Sequence, residues 1–104
     1  MQWQVEREDN MKVYQASEAK QMFEHLIKDE KLNVVNIRLN AGESIGKHKA
    51  PQHVVVVIVK GKVLFSDETF GEEIYPGKII YMQPNEIHEL SALEDSELMV
   101  IKIN

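Results

Sequence analysis

The sequence predicts an all-β domain, an antiparallel barrel of two packed sheets. Three observations point there. Short apolar runs rich in β-branched residues recur from Leu32 to Ile103. Turn signals punctuate them: Asn40-Ala41-Gly42, Lys60-Gly61-Lys62, Asp67 to Gly71, Pro76-Gly77 and Pro84-Asn85. One run, Val54 to Val59, is apolar at every position. Strand side chains alternate between faces, so both faces of that strand call for cover.

Taken in order, residues 1–16 alternate weakly through Trp3, Val5, Val13 and Tyr14, the pattern of one or two short edge strands. Ser17 then precedes a segment with Ala19, Met22, Phe23, Leu26 and Ile27 at helical spacing. Ser17 suits an N-cap and Glu18 the positive end of the helix dipole, so a short helix is expected. The alternative is a strand from Met22 to Ile27, joined to the next by the turn Lys28-Asp29-Glu30-Lys31. Leu32 to Leu39, Val54 to Val59, Val63 to Phe65, Glu73 to Tyr75, Lys78 to Met82 and Glu97 to Ile103 then read as strands. Regular short strands between turns build a sandwich or a barrel.

The chain of 104 residues fits one domain over 1–104, with 1–31 as an N-terminal extension and 32–104 as the barrel. Twelve Lys and Arg against 17 Asp and Glu leave a net charge of −5. That balance argues against nucleic acid or an anionic membrane surface as partner. No cysteine is present, which excludes disulfides, thiolate metal sites and a cysteine nucleophile. The first residues lack the basic-then-apolar pattern of a signal peptide, and the longest apolar run cannot span a bilayer, so a cytoplasmic protein is expected.

Two segments carry chemistry. The first, over 42–61, begins with Gly42, continues through five residues to His48, and includes Ala50, His53 and Val54 before Gly61. The second, over 77–88, follows Pro76 and runs from Gly77 through Pro84-Asn85 to His88. Together these segments resemble the paired motifs of the cupin superfamily. The resemblance spans roughly residues 32–103 and implies a double-stranded β-helix, or jelly roll, with a pocket inside it. Metal-binding members of that superfamily typically use two His and one Glu from the first motif and one His from the second. His48 and His88 match the first and last of these positions. Ala50 stands where the second His would be, Val54 where the Glu would be, Lys78 where an Asp is common, and Asn85 where a Gly is usual. Asn tolerates the left-handed backbone better than most residues.

The expected pocket residues are therefore His48 and His88, with one of Tyr81 and Met82 pointing inward from the strand before His88. A divalent transition metal (Zn, Fe, Mn or Ni) would rest on His48, His88 and His53, the last only if a bulge after Pro51 turns it inward. His25, Glu43, Glu86 and Glu89 read as solvated charges, and Lys47 and Lys49 as rim charges beside His48. Three functions stay open. One is a barrel that binds a small molecule. Another is a metal-dependent enzyme of the dioxygenase or isomerase type. The third is a dimeric regulatory module whose pocket is filled by side chains. The doubly apolar strand at Val54 to Val59 motivates a homodimer.

Overall fold

A computed structural model describes residues 3–6, 11–18 and 21–104, and every regular element among them is a strand. They are β1 (Trp3–Glu6), β2 (Lys12–Gln15), β3 (Phe23–Lys28), β4 (Leu32–Leu39), β5 (Ser44–His48) and β6 (His53–Lys60). Then come β7 (Val63–Ser66), β8 (Gly71–Ile74), β9 (Ile79–Met82), β10 (His88–Ala92) and β11 (Ser96–Ile103). β1 and β2 form a hairpin. The other nine make a four-stranded sheet, β5-β10-β7-β8, and a five-stranded sheet, β3-β4-β11-β6-β9, with antiparallel pairing throughout. The fold is all-β, the jelly-roll architecture expected. Among the described residues no helix is long and apolar enough to cross a membrane.

The inward positions of both sheets meet in one core. On β6, Val54, Val56 and Ile58 are buried, and Leu98 and Val100 on β11 and Val35, Ile37 and Leu39 on β4 join them. Val63, Leu90 and Ala92 close it from the opposite sheet. A fully buried Val or Leu contributes about 1.5–3 kcal/mol. These positions sit at period two, and that spacing fixes the register.

The helix expected after Ser17 does not form, and the strand alternative is the one realised. Phe23–Lys28 is β3, and it pairs with β4 across the Lys28-to-Lys31 turn. A lone helix of that length is marginal in water, whereas a strand here extends an existing ladder. The helical spacing has a local cause: a register shift between His25 and Ile27 inserts Leu26 as an extra residue, so the apolar positions fall three and four apart. The turn itself is held by Asp29, whose Oδ1 accepts the N–H groups of Lys31 and Leu32 at 2.9 and 3.0 Å. Ser17 caps nothing. Its N–H donates to Oε1 of the buried Glu24 at 3.0 Å, which holds that carboxyl below its ordinary range. Ala19 lies outside the described residues.

Asn85 sits at φ 66°, in the left-handed region, so asparagine does at this turn what glycine would.

Candidate functional site

β5 and β10 lie side by side, and His48 and His88 are direct cross-strand partners. Their ring centroids are 4.0 Å apart with planes at 63°. Each ring is fixed by its own backbone. His48 Nδ1 lies 2.9 Å from the carbonyl of Gly46, and His88 Nδ1 lies 3.0 Å from that of Glu86. A carbonyl can only accept, so Nδ1 carries the proton in both rings. In its neutral form each ring therefore keeps the Nε2 lone pair for a ligand. Phe65 stacks on His88 at 5.6 Å and 19°, which locks the ring plane. His88 is 6% exposed, while His48 stands at the surface.

Both imidazoles line a cavity of about 270 Å³ inside the barrel. Its walls are largely aliphatic, with Val54, Val56, Met82 and Val100 among them. Met82 is the inward member of the Tyr81–Met82 pair, opposite Val54 in the register. Tyr81 is not in this cavity: it is exposed and opposite the outward Val55. His53 also faces away. Its Nδ1 meets the Tyr81 hydroxyl at 3.0 Å, and the two rings stack at 5.9 Å. Strand alternation is the reason, since Val54 takes the inward position and no bulge at the start of β6 reverses it.

Sequence reasoning missed two residues. His25, read as solvated, is exposed, and it also stands opposite the inward Val35 and lines the cavity from β3. Lys102 follows the buried Leu98 and Val100 at the same parity, opposite Val54, and lines it from β11. The signal for Lys102 was in the sequence: a lysine at an inward position of an otherwise apolar strand. The signal for His25 was hidden by the bulge beside it. Glu43 and Glu86 serve the loops, where their carboxylates accept the N–H groups of Asn40 and Gln83, each at 2.6 Å.

No protein-family model matches the chain, and no curated protein sequence does. Solved structures do match. An RmlC-like cupin from Methanocaldococcus jannaschii with a double-stranded β-helix fold is 27% identical, covers 89% of this chain and 90% of its own, and superposes with a TM-score of 0.73. An RmlC-like cupin from Desulfovibrio desulfuricans gives a TM-score of 0.79 at 18% identity, over 89% of this chain and 96% of its own. A cupin superfamily protein from Desulfitobacterium hafniense gives 0.76 at 12% identity, over 85% and 82%.

The chain has the fold of the small cupins. Ala50 and Val54 line the cavity beside His48 and His88, so the cupin presents methyl groups where metal-binding relatives of the superfamily place donors. Among the described residues no group of three or more His, Cys, Asp or Glu is arranged to hold a metal ion. His48 and His88 share the cavity with two lysines, and His25 on its lining does not gather with them into a three-donor group. A divalent cation needs three or four converging donors and gains nothing from neighbouring positive charge. The donor set does not fit a resident transition metal, and His53 cannot complete it from the outer face of the cupin barrel.

Burial pushes the His88 imidazole below the usual histidine value of 6.5; the Glu86 carbonyl opposes this and His48 adds to it. The unfolded chain therefore takes up this proton first. Stability from the neutral ring is complete above about pH 6.5 and is lost as pH falls through the folded value. The urea midpoint of the wild type is expected to drop between about pH 7.5 and about pH 5, and to drop less in His88→Phe. Equal drops in both proteins would show that another group carries the acid sensitivity.

Proposed function

We propose that this cupin binds a small organic molecule in the cavity behind His48 and His88. One observation carries the reading: an apolar hollow of about 270 Å³ opens beside two imidazoles that are already oriented. An apolar wall with few, fixed polar groups is the usual make-up of a small-molecule site. The volume equals roughly nine waters at about 30 Å³ each, enough for one compact ring or short chain. The rings need no reordering to act, because backbone carbonyls and Phe65 have set them.

The other two readings receive less. A dioxygenase or isomerase built on a divalent metal lacks the donors described above. A regulatory module without a ligand calls for a cavity filled by side chains, and the hollow counts against it. A screen of small aromatic and aliphatic fragments, read from backbone amide shifts, tests the reading. Hits are expected to move Val56, Met82 and His88 and to be lost in Ala50→Trp, which fills the hollow. Hits confined to the outer surface, or none, would defeat it.

We further propose that the cupin works as a homodimer through the outer face of its five-stranded sheet. Val55 and Val57 are half-exposed there, and Val59, Ile79 and Tyr81 are open to solvent, Ile79 at 65%. β9 is also a free sheet edge. Light scattering at micromolar concentration is expected to give twice the chain mass of 12.0 kDa. Ile79→Lys is expected to return the monomer. A single-chain mass for the wild type would end this part of the proposal.

A further inference from the structure

The cavity has a charge character of its own. Five ionisable groups line it (His25, His48, Lys49, His88 and Lys102), and every one is a base. No Asp or Glu lines it, although acidic residues outnumber basic ones 17 to 12 in the chain. The two lysines differ from their neighbours elsewhere. Lys62 reaches Glu73 and Glu94, and Lys78 reaches Glu72, whereas Lys49 and Lys102 make no ion pair among the described residues. Lys102 also breaks the pattern of its strand. Leu98 and Val100 are buried, and the next inward position, opposite Val54, holds a cation. Solvation alone would have been served by the outward positions. A lysine set at the rim of an apolar hollow keeps its stem on the wall and its ammonium free for a counter-charge.

We infer that the ligand of this cavity is a small organic carboxylate, its apolar body against Val54, Val56 and Val100 and its anionic end toward Lys49, Lys102 and His25. The inference rests on the reading of the hollow as a ligand site and names the class it accepts. A charged acceptor gains from two unpaired ammonium groups what a neutral one of the same shape cannot, because charge-assisted bonds are roughly twice as strong. The apolar wall sets the limit on the other side, since a bare inorganic anion leaves it unfilled. The lack of carboxylates in the lining serves the same end, as one would repel the ligand or occupy its lysines.

A matched pair of probes tests this: 4-methylbenzoate and 4-methylbenzamide, which share shape and differ in charge, titrated into the intact protein near neutral pH with amide shifts of Val56, Met82 and His88 as readout. The benzoate is expected to bind at least about tenfold more tightly than the amide. Lys102→Gln together with Lys49→Gln is expected to bring the ratio to within about threefold of unity while leaving amide binding unchanged, which also reports that the double variant is folded. Equal affinities of the two probes for the wild type would overturn the carboxylate preference and leave the pocket standing. A preference that survives in the double variant would overturn the role of the lysines. Failure of both probes to move the interior amides at up to about 10 mM would overturn the pocket reading as well.

Discussion

Gly61→Ala is expected to lower stability by about 2–5 kcal/mol. Gly61 holds φ +88°, where an L side chain costs about 1–2 kcal/mol. That is the smaller part. An added Cβ would collide with the carbonyl oxygen of Asp95 and stand 2.7 Å from Cα of Ser96. Both are backbone atoms and cannot swing aside. Ser96 is itself clamped: its Oγ accepts the Lys62 N–H at 3.1 Å and faces the carbonyls of Glu94 at 2.8 Å and Lys62 at 3.2 Å. The methyl can be housed only by prising the β6–β7 turn from the start of β11. Forced insertion into packed surroundings costs about 1–3 kcal/mol more. Gly77→Ala is the control, because φ is +102° there but the added carbon meets nothing within 4 Å. It is expected to cost about 1–2 kcal/mol. For a domain of this size the two should differ by roughly 5–20 °C in Tm. Equal melting points would mean that the close approach to Asp95 and Ser96 does not exist in solution.

His88→Phe is expected to weaken binding of the amide probe, whose N–H can donate to Nε2, while keeping the barrel folded. Phenylalanine preserves the ring that stacks on Phe65 and fills the same buried place, but it carries no Nε2. A hydrogen bond from the amide N–H to the Nε2 lone pair is worth about 0.5–1.5 kcal/mol, so the loss should be about three- to tenfold in Kd. His88→Ala would lose the same bond and also leave a hole, at about 3–5 kcal/mol by analogy with other buried aromatics. The phenylalanine variant separates the two effects. His48→Phe, at the exposed partner, should weaken binding less, because solvent competes for its Nε2. An unchanged affinity in His88→Phe would place the binding site away from the imidazole pair.

The strands of the barrel were legible where apolar runs and turn residues agree. Leu32–Leu39, Val54–Val59 and Glu97–Ile103 are short runs rich in β-branched and other apolar residues, and each forms a strand. The resemblance of the segments at Gly42, His48, Gly77 and His88 to the cupin motifs located the imidazole pair, and the register of β5 and β10 sets the two side by side. Other features were not legible for local reasons. The extra residue at Leu26 imitates a helical repeat over a segment too short to contradict it. The direction of His53 depended on whether a bulge followed Pro51, and sequence period alone does not report a bulge. Lys102, by contrast, was legible as a lysine at the parity of Leu98 and Val100, and its cross-strand partner Val54 places that position on the inward face. Carboxylates such as Glu43 and Glu86 sit near the motifs in sequence, yet spend their acceptor capacity on neighbouring loop amides.

The strand latest in the sequence, β11, is also the middle of the five-stranded sheet, flanked by β4 and β6. A ribosome delivers β4 and β6 long before the ribbon that joins them. Until Ser96–Ile103 emerges, each offers a bare row of amides and carbonyls to whatever is nearby, including a sister nascent chain. Vectorial synthesis therefore cannot build this barrel stepwise, and a transcript cut short before Ser96 should yield inclusion bodies in place of a smaller soluble barrel.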